Sequence, residues 1–196
     1  MLEKSASQNT SPTEPQIFSS SIFNTHEEYV IITTSDQVRE ISQAILKSQP
    51  EPILGVDCEG LSKGRPLCLL QMYFAGKSYL FDLLAVDPFK YGLKDVMQSK
   101  KIMKIFHDFC EDQSALTNQF NVFCDFVFDT QIAHRVIQQA LKKTPKLIHC
   151  EDNNISLANL LQHYIDVTHT KKKEIANIMR EQDDFWEVRP LSKDMI

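Results

Sequence analysis

The sequence predicts an α/β protein built on one mixed β-sheet, an antiparallel meander continued by parallel strands, with helices packed against it. Three observations predict it. Residues 53–84 hold three apolar runs, ILGVDCE, LCLLQMYF and SYLFDLL, separated by short turn-like stretches, the pattern of a meander. Beyond them the pattern alternates: the strand-like KIMKIFH, the helix-like EDQSALTNQF, then DFVFDT running on into QIAHRVIQQAL. Ahead of the meander, Val38, Ile41, Ala44 and Ile45 recur at helical spacing.

Taken in order, residues 1–25 are rich in Ser, Thr, Gln, Asn and Pro and read as a disordered tail. YVIITT is mostly β-branched and reads as a strand. Thr34 or Ser35 caps a helix over Asp36 to Lys47, which SQPEP ends. LSKGRP, with Gly64 and Pro66, turns the chain into the second run of the meander, and AGK turns it into the third. A short helix follows near Leu93 to Gln98. Ile102, Ile105 and Phe106 are the apolar members of KIMKIFH. The strand DFVF gives way to a helix near Asp129. KKTPKLIHCEDNN is a polar loop. Two helices close the chain: one from Ser156, burying Leu157, Leu160, Leu161 and Tyr164, and one over Lys172 to Gln182.

With 196 residues the chain is long enough for one domain and a tail. A net charge of -5 argues against a protein that coats nucleic acid by charge alone. It leaves room for an enzyme that holds a polyanion through divalent metals and a local basic strip. The five cysteines are odd in number and form no Cys-x-x-Cys pair, so they read as reduced thiols of a cytoplasmic or nuclear protein. No apolar run approaches the roughly 20 residues that cross a bilayer, so no membrane is expected.

The chemistry concentrates in three places. Asp57 and Glu59 end an apolar strand and point to one face, two residues apart. Two anions so placed need a metal ion or a shared proton between them. KIFHDFCED repeats the theme: His107 closes a strand, and Asp112 opens the helix five residues on. In VFDTQ, Asp129 again ends an apolar run. Open α/β sheets bind ligands at the carboxyl ends of their strands, so adjacent strands can aim such groups at one point. Carboxylates are oxygen donors suited to Mg²⁺ or Mn²⁺, and two such ions about 4 Å apart can activate a water and steady a leaving phosphodiester oxygen. Zinc would recruit His and Cys; His107 and Cys110 have no second pair at ligand spacing.

VDCEGLSKGRPLCLLQMYF, KIFHDFCEDQSAL, VFDTQIA and FWEVRPL, in this order, resemble the 3′–5′ exonuclease domain of the DEDD superfamily, ribonuclease D branch. DCEG, HDFCED and MREQDDFWEVRPLS look most like the subgroup of Egalitarian and related exonuclease-domain proteins. The resemblance implies a ribonuclease-H-like fold over residues 26–196. It also implies hydrolysis of RNA or single-stranded DNA from a 3′ end by two metal ions, Mg²⁺ or Mn²⁺. Carried over, Asp57 and Glu59 match the first motif and Asp112 the second, as catalytic and metal-binding residues. Gly60 and Leu61 follow the first motif, where the family brings backbone and an apolar side chain against the terminal nucleotide; His107, at its strand end, is assigned to nucleic-acid contact. Asp129 matches the aspartate of the third stretch and is expected to support the site or cap its helix.

One departure bears on activity. The family's third motif, a tyrosine followed four residues later by an aspartate, comes shortly after RPL, and here RPLSKDMI reaches Ile196 without it. The domain is therefore expected to be C-terminally incomplete. A nuclease-like module that binds RNA or protein partners in a ribonucleoprotein complex without cutting stands beside the exonuclease as the alternative. Lys142, Lys143, Lys146 and Lys171 to Lys173 form two basic runs, either solvated or in phosphate contact along a single strand, with Arg180 and Arg189 as further cations. Phe185 and Trp186 are expected to lock the last segment to the core. His134, His149, His163 and His169 show no recognisable arrangement.

Overall fold

The computed structural model describes residues 29–60, 65–142, 154–168, 177–179, 181–182, 184–192 and 195. The predicted tail lies outside these residues, as do Leu61, Arg180 and the lysines at 143, 146 and 171–173.

Six strands form the sheet: β1 Tyr29–Ile32, β2 Ile53–Glu59, β3 Leu69–Phe74, β4 Lys77–Asp82, β5 Met103–Phe106 and β6 Val127–Asp129. Their order is β1-β4-β3-β2-β5-β6. β2, β3 and β4 are the antiparallel meander. β1 joins β4 in parallel, β5 joins β2 in parallel, and β6 joins β5 in parallel. This is the mixed sheet the sequence predicts. The β3–β4 hairpin is tight because Ala75 and Gly76 both take positive φ, +50° and +82°, as a two-residue turn matched to strand twist requires.

Alternation along β2 separates two faces. Leu54, Val56 and Cys58 point into the core, and Ile53, Gly55, Asp57 and Glu59 point the other way. The core side is filled by Val38, Ile41 and Ile45 of α1 (Ser35–Lys47), Leu93, Val96 and Met97 of α2 (Leu93–Met97), and Phe89 of the 3₁₀ turn Pro88–Tyr91. α1 starts as its sequence demands. Thr34 is the N-cap, and Thr34 and Gln37 form a reciprocal capping box. Its buried stripe differs in one residue: Ala44 is exposed and Ser42 is buried, because Gly92 approaches so closely at Ser42 that a Cβ there would lie 3.2 Å from the serine's own.

One burial falls outside the sequence pattern, and one expectation is corrected. In β5 the buried residues are Phe106 and Lys104, whereas Ile105 is half-buried on the opposite face. Lys104 is fully buried, and its ammonium donates to Ser99 O at 2.8 Å and Ile102 O at 2.9 Å. The helix from Ser156, α5 (Leu157–Ile165), exists with Ser156 as its cap, yet none of its residues is fully buried: Leu160 and Leu161 are half-buried, and Leu157 and Tyr164 are exposed. Residues 177–179 and 181 are helical, within the last predicted helix. No described helix is long and apolar enough to cross a membrane.

Candidate active site

The parallel strands β2, β5 and β6 end at one edge of the sheet, and their registers line up a polar row there. Asp57 pairs with Gln71 across β2 and β3. Gly55 pairs with Ile105, so Asp57, two residues on, is level with His107. Phe106 pairs with Asp129, so Thr130 follows beside His107. The contact confirms the register: His107 Nδ1 lies 2.8 Å from Thr130 Oγ1. On the other side of the ring Nε2 donates to Ile155 O at 2.9 Å. Both ring nitrogens of His107 are thus engaged within the protein.

Asp129 organises the next layer. Its Oδ1 accepts from Gln131 N at 2.8 Å and Ile132 N at 3.4 Å, capping α4 (Thr130–Lys142). The same carboxylate accepts from Asp108 N at 3.1 Å and Phe109 N at 3.0 Å. Asp108 has φ +63°, a left-handed turn that aspartate tolerates better than most residues. That turn redirects the chain from β5 into α3 (Cys110–Phe120). Asp129 therefore caps its helix and holds the loop that leads from β5 into α3.

Asp112, in the first turn of α3, is 6% exposed. It lies against β2, where the Cys58 thiol hydrogen-bonds to its carboxylate and the Asp57 charge is close enough to act on it. Burial, then that neighbouring charge, push the Asp112 carboxyl up to about 7. Burial, then the Asp112 charge, hold the Cys58 thiol well above its usual range, so it remains an S–H donor. Glu59 leaves β2 on the same face as Asp57. Gly60 ends the strand with φ +102°, and a Cβ on it would come within 2.9 Å of Cys68 N and 2.8 Å of Pro66 O. Only glycine fits where β2 turns away from the incoming β3 segment.

Among the described residues, no three His, Cys, Asp or Glu side chains are gathered closely enough to hold a metal ion. The chemistry of the donors fits one nevertheless. Asp57, Glu59 and Asp112 are hard oxygen donors; burial first and then the Asp57 charge raise Asp112, and a divalent cation would offset the second of these.

Several site residues escape sequence reasoning. Gln131 is 2% exposed and accepts from Ile155 N at 3.0 Å through Oε1. Arg135, also buried, donates to Asn154 Oδ1. With His107 on Ile155 O, these bonds pin the segment entering α5 across the polar row. His134 Nδ1 meets the Tyr164 hydroxyl at 3.0 Å, with the His163 ring edge-on to both, tying α5 to α4. Two clefts result, one of about 450 Å³ and one of about 360 Å³, sharing Asp57, His107 and Leu157. The one local signal for this layer is Gln131 of FDTQ, two residues after the helix-capping Asp129.

Arg189 is not part of a basic strip. Its guanidinium is consumed by Asp82, Cys68 O, Trp186 O and Val188 O. Phe185 is buried, as expected for a segment locked to the core. One tyrosine–aspartate pair with third-motif spacing, Tyr91 and Asp95, lies between β4 and β5; the Tyr91 ring sits under the Arg39 guanidinium, 4.7 Å away.

The sequence profile of the 3′–5′ exonuclease family matches residues 29–196, the whole of this fold. The chain belongs to that family. This 3′–5′ exonuclease domain is 28% identical over 179 residues to human "piRNA biogenesis protein EXD1", covering 87% of this chain and 34% of that protein. It is 32% identical over 124 residues to the Caenorhabditis elegans "Egalitarian protein homolog", covering 59% of this chain and 20% of the relative. The chain thus spans about a third or less of these two relatives. Its fold is that of Trypanosoma brucei RNase D in complex with RNA U12, with a TM-score of 0.70 at 20% identity over 86% of this chain and 56% of that one. The family generally uses divalent metals.

Proposed function

We propose that this domain is a metal-dependent 3′–5′ exonuclease that hydrolyses phosphodiester bonds of single-stranded nucleic acid, with RNA favoured. The observation that carries the reading is the buried Asp112, held against β2 within electrostatic reach of Asp57, at the carboxyl ends of parallel strands. In this reading Asp57, Glu59 and Asp112 hold divalent cations, Mg²⁺ or Mn²⁺, two in the complete site. Such ions would supply an activated water and charge stabilisation at the leaving oxygen. Gly60 and Leu61 border the terminal nucleotide, and His107 shapes the cleft beside it. RNA is favoured because one relative is named for piRNA biogenesis and a structure of the same fold was solved with RNA. The setting is a cytoplasmic or nuclear RNA-processing complex; the four described cysteines are all thiols, in keeping with it.

The test is shortening of a 5′-labelled RNA by the full-length protein that carries this domain. Shortening from the 3′ end in Mg²⁺ or Mn²⁺, stopped by EDTA and by Asp57→Ala, supports the enzyme. Tight RNA binding without shortening supports the alternative, a non-cutting module in a ribonucleoprotein complex. Shortening that survives Asp57→Ala rules out the site.

A further inference from the structure

Cys58 stands between the two carboxylates of β2 yet faces the other way. Alternation sends Asp57 and Glu59 to one face of the strand and Cys58 into the core, where it is 5% exposed. Its thiol donates to the carboxylate of Asp112, which reaches it from the first turn of α3 and is itself buried. The backbone on either side of Asp112 is held by other bonds. Asp129 takes the amides of Asp108 and Phe109. Gln113 N donates to Phe109 O at 2.9 Å, and the Gln113 side chain accepts from Cys124 N and donates to Val122 O, both at 3.0 Å. Those bonds decide where the Asp112 backbone sits. They do not decide which way its carboxylate turns. Among the described residues, the donors to that carboxylate are the Cys58 thiol and the residue's own backbone N–H. Leu54 and Val56 fill the preceding inward positions of β2 with hydrocarbon. Hydrocarbon at position 58 would take a donor from a buried acceptor, which is costly.

We propose that Cys58 is a positioning residue for the metal-binding acids: its thiol fixes the direction of the Asp112 carboxylate and so sets it against Asp57 and Glu59. The inference rests on the nuclease reading above and adds to it a residue that ligates nothing. A carboxylate that binds a metal ion is itself commonly oriented by a hydrogen bond from a neighbouring group. Here the donor is the residue between the other two acids, so all three are aligned through one three-residue stretch of β2.

The experiment measures Mn²⁺ binding to the full-length protein from the EPR signal of the free ion, with thermal unfolding recorded on the same samples. Cys58→Val, which keeps bulk but has no donor, is expected to weaken Mn²⁺ binding about tenfold. Cys58→Ala, which cannot overpack the core, should do the same. Cys58→Ser restores a donor and should bind more tightly than either. In an Asp112→Asn background Cys58→Ala should make no further difference, because the thiol acts through that carboxylate. Leu54→Val, at a buried inward position of the same strand, should lower the unfolding temperature and leave Mn²⁺ affinity unchanged. Wild-type affinity in Cys58→Val and Cys58→Ala overturns the role of Cys58 and spares the nuclease reading. So does a Cys58→Ser protein that binds no more tightly than they do, or equal weakening in Leu54→Val. Failure of the wild-type protein to bind Mn²⁺ overturns both.

Discussion

Arg189 and Asp82, 107 residues apart in the chain, form a two-point ion pair: Nε donates to Oδ2 at 2.6 Å and Nη2 to Oδ1 at 2.7 Å. The same guanidinium donates to Cys68 O at 3.2 Å and to two carbonyls of its own segment. It therefore clamps the FWEVRPL stretch to the end of β4. The Asp82 side chain is almost wholly buried, so removing its partner strands a charge. Arg189→Ala should cost about 3 kcal/mol in urea unfolding. Arg189→Lys should also destabilise, because an ammonium cannot reproduce the fork.

The pH dependence of that clamp has a definite sign. Burial alone would raise Asp82, but the hydrogen bonds and charge of Arg189 outweigh it and bring the carboxyl below its usual value. A carboxyl lowered on folding adds stability above its unfolded pKa, and that stability is lost as pH falls through the folded one. Asp82→Asn should flatten the acid limb of the stability curve, measured as urea midpoint against pH from 6 down to about 3. An acid limb as steep as the wild type's would refute the assignment.

Asp129 joins two helix starts through four backbone N–H groups. Asp129→Ala should destabilise the domain by about 2 kcal/mol or more, at the upper end for a lost cap. Its specific signature is amide hydrogen exchange: Phe109 and Gln131 should both lose protection, since one carboxylate serves both. Loss at Gln131 alone would mean that the loop entering α3 holds itself.

Gly60→Ala should lower stability by more than about 1 kcal/mol, because it combines a positive φ with a Cβ pressed on Pro66 and Cys68 backbone. Thermal unfolding reads this directly. Gly76→Ala is the comparison: its φ is also positive, but a Cβ there meets nothing within 4 Å, so the cost should be smaller.

Lys104 invites the opposite intuition. Lys104→Met preserves shape and adds an apolar group to the core, which ordinarily stabilises. Here it withdraws the donors to Ser99 O and Ile102 O. A net loss of about 1–3 kcal/mol is expected. A gain in unfolding midpoint would show that the buried ammonium is a burden that packing merely tolerates, in line with burial holding its pKa below the usual lysine value.

Much of this molecule is written locally. Thr34 and Gln37 announce the start of α1, Ala75-Gly76 the hairpin, and the alternation through Asp57 and Glu59 puts both carboxylates on one face, since period, cap and turn chemistry act over a few residues. The same reading sets Asp57, His107 and Asp129 at strand ends, which the parallel registers then bring to one edge. Partnership is different. Nothing in the sequence around Lys104 points to its burial, which depends on Ser99 and Ile102 turning their carbonyls toward it. His107 reads as a substrate contact, and only the fold shows that Thr130 and Ile155 engage its ring nitrogens. Arg189 reads as a phosphate ligand until Asp82 takes its fork, and α5 reads as a buried helix until the fold leaves it held mainly by polar bonds. Local propensity chooses the elements, but a polar side chain is stabilised by whichever group chain folding delivers within 3 Å, and that choice is made only when distant segments meet.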